Sequence, residues 1–306
     1  MVHRLHFRAM GTEMLVCVDN GSDTSPVELA DVPAWFEEWE QVLSRFRIDS
    51  ELTLLNRAGG QLVPVSETLW QIFQSALAAE KYTDGLVTPT IAAAVIGSGY
   101  DRDFSLLAGQ VLSPFESEPP IVRSLDSVTW DEATRSICLP AGVQLDFGGI
   151  AKGWAAEQTV ARLKHLGSAL MNCGGDIFMS GPLLNGNPWE IGVHRPFDRS
   201  SGYIGMMFFE HGCGVATSAT DRRRWMQGDS MRHHIIDPQS GLPAESDVVS
   251  VTIVAPNAVE AETAAKSVLI RGSVEGLAWL ESKNLAGLII LENGTILYSQ
   301  RINEYL

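Results

Sequence analysis

Long apolar runs are missing from this 306-residue chain. None approaches the roughly 20 residues that a helix needs to cross a bilayer, so a spanning helix is excluded. The opening residues, Met1 to Arg8, are interrupted by His3, Arg4 and His6. They lack the continuous apolar core of a signal peptide, and no lipid-attachment cysteine follows, so the expected place is the cytoplasm. Cysteine is scarce. Cys17, Cys138, Cys173 and Cys213 include no Cys-x-x-Cys pair, which argues against a zinc knuckle or dithiol redox motif and leaves buried free thiols. Basic residues are outnumbered, 22 against 37 acidic, and the net charge of −15 repels a phosphate backbone over long range. Nucleic acid is therefore not an expected partner, although a local cationic cluster remains compatible with a small phosphate ligand. Repeats and low-complexity tracts are absent too. The 45% of hydrophobic residues excludes disorder as the main state, and the length fits one large domain or two small ones.

What is present reads as a mixture of hairpins and helices. Residues 13–19 form a predicted strand. Trp35, Phe36, Trp39, Val42, Leu43 and Phe46 recur at helical spacing after Asp31 and Pro33. A second helix is predicted to begin at Ser66, with Leu69, Ile72, Phe73, Ala76 and Leu77 on one face, and to end before the Thr83-Asp84-Gly85 turn. Residues 113–120, Ser-Pro-Phe-Glu-Ser-Glu-Pro-Pro, read as a surface loop and as the one plausible hinge. The second half is richer in strands. Residues 143–145 are a predicted strand that leads into Gly148-Gly149 and a helix over 152–166, and a strand around Leu170 stops at Gly174-Gly175. Residues 248–255 are predicted as a strand and 258–269 as a helix. A closing hairpin turns at Asn293-Gly294, where both turn residues favour positive φ. Without regular βα alternation, the fold class expected is α+β.

Three segments carry candidate chemistry. In Leu145-Asp146-Phe147-Gly148-Gly149-Ile150-Ala151-Lys152-Gly153-Trp154, a double glycine precedes a helix whose first turn holds a lysine. Free N–H groups there attract an anion and Lys152 adds charge. The same pattern also describes a plain glycine turn with a surface lysine, and Asp146 beside an anion needs an offsetting cation, metal or ligand donor. In Arg232-His233-His234-Ile235-Ile236-Asp237-Pro238, two adjacent histidines at a strand end face opposite ways. Only one of them is then expected to point into a site, where it either serves proton transfer or is simply satisfied by a turn carbonyl. Arg222, Arg223 and Arg224 either stay solvated or approach a diphosphate. Composition and spacing stop at an anion-binding α+β protein with a histidine.

These segments resemble the FAD:protein FMN transferase (ApbE-like) family. The resemblance runs in order through Met10-Gly11-Thr12, the stretch Ser44 to Leu52 with Asn56, and Gly85-Leu86-Val87-Thr88-Pro89-Thr90. It continues through Gly99-Tyr100-Asp101-Arg102, Asp146 to Gly153, Asn172-Cys173-Gly174-Gly175-Asp176-Ile177, Thr217-Ser218 and His234 to Pro238. It implies one α+β unit over residues 1–306, built as two intertwined lobes (1–112 and 121–306) of mixed and antiparallel sheets with flanking helices, and with FAD between them. The implied reaction splits FAD at its diphosphate, releases AMP and attaches FMN through a phosphoester to a threonine or serine of an acceptor flavoprotein. By similarity, Met10, Phe46, Leu86, Val87, Thr88, Asp146, Lys152 and Ile235 hold FAD, with Phe46 where an aromatic ring stacks on the flavin nucleotide. His234 matches the general base, which a weakly nucleophilic hydroxyl requires.

The same resemblance implies a Mg²⁺ ion held by a backbone carbonyl, here at Gly149, and by an Asp and a Thr four residues apart on a helix. The metal positions carried over are Gly149, Glu262 and Ala265. Glu262 replaces the Asp, and Lys266 stands where the Thr is expected. Two readings follow. Either the Lys266 ammonium takes the metal's place, pairing with Glu262 and the diphosphate, or Lys266 turns to solvent and Mg²⁺ binds through Glu262 and carbonyls. Thr88 departs as well, standing where many relatives have an aspartate. These departures leave two alternatives to transfer: an FAD-holding protein with a degraded metal site, or a diphosphatase releasing FMN and AMP.

Overall fold

The hairpin that opens the chain follows from its turn. Val2–Ala9 pairs antiparallel with Thr12–Asp19, and the two intervening residues, Met10 and Gly11, sit at φ 47° and 66°, the left-handed pair that matches strand twist in a two-residue turn. The computed structural model describes residues 1–107, 109–113, 119–198, 200 and 202–306. The expected hinge, 113–120, lies mostly outside them, since 114–118 are not described.

The described residues form two units from alternating segments of chain. The first comprises Met1–Phe36, Lys152–Arg222 and Ser246–Leu306. Its frame is an eight-stranded sheet in the order Val2–Ala9, Thr12–Asp19, Ser168–Cys173, Asp176–Met179, Cys213–Ala219, Val248–Ala255, Ala286–Leu291, Ile296–Tyr298. Every neighbouring pair is antiparallel. All residues of Val248–Ala255 are buried, because both faces of the sheet are covered. The long helix Ala258–Ser282 packs against Cys213–Ala219 and Val248–Ala255. A separate hairpin, Trp189–His194 with Tyr203–Phe209, contributes Trp189, Met207 and Phe209 to a core shared with Leu170, Val215 and Leu288.

The second unit comprises Glu37–Ala151 and Arg223–Glu245. It holds the helices Glu51–Arg57, Glu67–Tyr82 and Ala92–Gly97, with two small three-stranded sheets. Ser66 caps its helix as expected, its hydroxyl accepting from the Leu69 N–H at 3.2 Å.

Four expectations are corrected in detail. Phe46 does not join the buried stripe of Phe36, Trp39 and Leu43, because the helix Val32–Leu43 ends before it and leaves the ring 42% exposed. Residues 143–145 are not a strand. Instead the Asn56 carboxamide meets Leu145 on both sides, donating to its carbonyl at 2.9 Å and accepting its N–H at 2.8 Å, so one side chain does the work of a neighbouring strand. The helix expected over 258–269 runs to Ser282, with a break at Gly272 (φ 80°, ψ 176°). The Asp247 carboxylate accepts the Ser273 N–H at 2.9 Å and caps the restart. In the last hairpin only Gly294, at φ 83°, takes the left-handed conformation, as in longer hairpin loops closed by a single αL residue. No described helix is long and apolar enough to cross a membrane. All four cysteines are free thiols, and burial pushes Cys17 up to about 11 and Cys213 up to about 12.

Candidate active site

In the first unit, a hairpin and two helix ends assemble a charged cluster. Gly174 and Gly175, at φ 69° and 109°, make a two-residue turn that sets Asp176 opposite Cys173. A Cβ on Gly174 would fall 2.3 Å from the Thr12 hydroxyl oxygen, so the turn is also a close crossing of chain. The helix Ala151–Leu163 begins beside it and supplies Lys152. The long helix supplies Glu262 and, one turn on, Lys266.

Lys152 pairs with Asp176 and, at 3.0 Å, with Glu262 Oε1. Lys266 Nζ reaches the same Oε1 at 2.8 Å. The other carboxylate oxygen of Glu262 accepts the Gly153 N–H at 2.8 Å. That bond depends on glycine at 153: a Cβ there would meet the Ala258 carbonyl oxygen at 2.7 Å and Glu262 Oε2 at 3.0 Å. Glu262 is fully buried and Asp176 2% exposed. Burial pushes the Glu262 carboxyl up, but Lys152 and Lys266 outweigh it and hold the group below its ordinary value. Burial dominates at nearby Glu157 and raises it. Met10 lies half-buried at its hairpin turn, and Ala265 is fully buried on the long helix.

In the second unit, the expected Phe46 and Asp146 are joined through a residue the sequence reading left without a role. Arg45 Nε pairs with Asp146 Oδ2 at 2.7 Å. Its guanidinium lies 4.1 Å from the centre of the Phe46 ring and 4.8 Å from that of Tyr100. Asp146 Oδ1 accepts the Gly148 N–H at 2.6 Å. The cation that Asp146 requires is therefore Arg45. Tyr100 also stacks near Trp225, their centres 5.7 Å apart, and Trp225 donates its indole N–H to the Ser98 carbonyl at 2.9 Å. Burial raises the Tyr100 hydroxyl above its usual value. Gly149 follows in the half-exposed turn.

Leu86, Val87 and Thr88 are each under a tenth exposed. Thr88 Oγ1 lies 2.7 Å from Thr90 Oγ1, so its hydroxyl is engaged locally. The two adjacent histidines stand in different local settings. His233 ends the strand Ser230–His233 and is fixed by backbone: Nε2 sits 3.1 Å from the Ala244 carbonyl, and Nδ1 accepts the Ile235 N–H at 3.3 Å. Burial lowers its pKa. His234 follows the strand, half-buried, and Ile235 beside it is 5% exposed. Arg222 is exposed, whereas Arg223 and Arg224 are half-buried.

Sequence reasoning thus named Lys152, Glu262 and Lys266, which the structure brings together, but gave no role to Asp176, Arg45 or Tyr100. Asp176 had a signal in the double glycine before it. Arg45 had one in being a cation next to the aromatic Phe46 within an acidic chain. The donor set does not suit Mg²⁺. Both oxygens of Glu262 are already taken by N–H donors, a lysine ammonium stands on the same helix face, and Ala265 has no ligating side chain. Among the described residues, no three His, Cys, Asp or Glu side chains gather as a metal cluster.

Comparison with known proteins gives a consistent result. The model of the ApbE family matches residues 10–289. A Treponema pallidum protein named FAD:protein FMN transferase is 32% identical over 274 residues, covering 82% of this chain and 73% of its own length. A Haemophilus influenzae protein of the same name is 26% identical over 302 residues, covering 94% and 87%. The crystal structure of an ApbE protein from Thermotoga maritima is similar with a TM-score of 0.88 at 25% identity, over 100% of this chain and 99% of that one.

Proposed function

The chain belongs to the ApbE family, and from that premise we propose that it transfers FMN from FAD to a threonine or serine hydroxyl of an acceptor flavoprotein, releasing AMP. The observation that carries this is the likeness to relatives named for that activity, which extends over 82% and 94% of this chain. In the reaction the acceptor oxygen bonds to the phosphorus on the FMN side of the diphosphate. The bridging P–O bond to AMP breaks, and the hydroxyl proton passes to His234 as general base. His234 is the residue that matches the family's general base, and its neighbour His233 is bound to the Ala244 carbonyl and the Ile235 N–H. Met10, Phe46, Leu86, Val87, Thr88, Asp146, Lys152 and Ile235 are the proposed FAD-holding residues. Lys152 supplies a cation for phosphate, and the exposed Phe46 ring, backed by the Arg45 guanidinium, offers a flat apolar face for stacking.

The test is incubation of the purified protein with FAD and the flavin-free acceptor subunit from a relative's own host, followed by analysis of protein and nucleotides. Flavin covalently bound to the acceptor with an equal amount of AMP is expected. Unchanged FAD would sink the reading, and free FMN with AMP on an unlabelled acceptor would replace transfer by hydrolysis.

A further inference from the structure

The cluster of Lys152, Asp176, Glu262 and Lys266 pairs two ammonium groups with two carboxylates, so it is already neutral. A divalent cation added beside Glu262 would bring two uncompensated charges next to two lysines. It would also find three of the roughly four lone-pair sites of Glu262 occupied by Lys152, Lys266 and Gly153 donors. Lys266, in contrast, is placed to meet an anion. Its ammonium has three N–H groups, one directed at Glu262 Oε1, while its side chain keeps 15% of its surface exposed above a fully buried carboxylate. Glu262 thereby anchors the lysine, whose side chain, unlike the carboxylate, is not fully buried.

Resting on the transfer reading, we propose that the Lys266 ammonium, seated on Glu262 beside Lys152, meets the FAD diphosphate in this chain in place of a divalent metal. The substrate class is a dinucleotide diphosphate bound without metal. A lysine is a compact point charge suited to phosphate, and its position is fixed here by a buried partner rather than by coordination geometry. The replacement has a chemical cost, since one charge neutralises a diphosphate less completely than two. Transfer should therefore be slower than with a metal while binding becomes independent of chelators.

The experiment measures FAD affinity by flavin fluorescence on the whole protein, in EDTA and in millimolar Mg²⁺, with calorimetric titration of Mg²⁺ alone. The proposal expects equal affinity in both buffers, within about twofold, and no heat of Mg²⁺ binding; Lys266→Met should weaken FAD about tenfold or more, and Lys266→Arg should restore most of that loss. FAD affinity that collapses in EDTA would overturn the metal-free site and leave the transfer reading standing. Full affinity in a folded Lys266→Met protein would overturn it as well. Should Lys266→Met not fold, the wild-type buffers and Lys266→Arg decide the matter. No FAD binding under any condition would remove the transfer reading itself, and this proposal with it.

Discussion

The Arg45 guanidinium is held from two sides: its Nε lies 2.7 Å from Asp146 Oδ2, and its centre lies 4.1 Å from that of the Phe46 ring. The Arg45 and Asp146 side chains are 9% and 13% exposed, so neither charge is well solvated alone. Replacing Arg45 with Met should cost about 3 kcal/mol of stability, because an unpaired carboxylate is left behind. The further change Asp146→Asn should recover part of that loss. Urea unfolding of the two single variants and the double variant gives the coupling directly, and additive losses would show that the pair is not coupled.

The approach of two helices at Gly153 predicts intolerance of even one methyl group. Its Cβ would stand 2.7 Å from the Ala258 carbonyl oxygen and 3.0 Å from Glu262 Oε2. Gly153→Ala should lower stability by about 1–3 kcal/mol despite alanine's better helix propensity. A midpoint in urea equal to or above wild type would show that the helices give way freely.

The adjacent histidines should separate function from stability. His234→Ala is expected to leave FAD affinity and the melting temperature near wild type while slowing acceptor labelling by about 10²–10⁴-fold. His233→Ala should instead lower the melting temperature, since it removes the contacts to Ala244 and Ile235. Fast labelling by His234→Ala would take that residue out of the mechanism.

His233 also sets a pH dependence. Burial lowers its folded-state pKa, with Arg224 and Arg232 adding to the effect and the backbone bonds opposing it. The unfolded chain therefore binds the proton more readily. The stabilisation is complete above about pH 6.5 and is lost as the pH falls from there through the folded pKa. Melting temperatures between pH 7.5 and 5.5 should fall more steeply for wild type than for His233→Gln; equal slopes would assign the acid sensitivity elsewhere.

Much of the frame was legible along the chain because its causes are local. The Ser66 cap, the double-glycine turn before Asp176 and the β-branched stretch Val248–Ala255 each specify an element through residues a few positions apart. The same locality misled at residues 143–145, whose backbone partner is the side chain of Asn56. It also misled at Phe46, which helical spacing placed on a stripe that had already ended.

The sequence alone determined the α+β class, the family, and the departure at Glu262 and Lys266, since these depend on residue identity and order. Tertiary structure decided what those charges do. Lys152, Asp176 and Glu262 are distant in the sequence, and only the pairing of Ser168–Cys173 with Asp176–Met179 and the packing of the long helix bring them within bonding distance. Burial then makes their mutual compensation obligatory, because a charge removed from water must be met by a partner that chain order alone does not name.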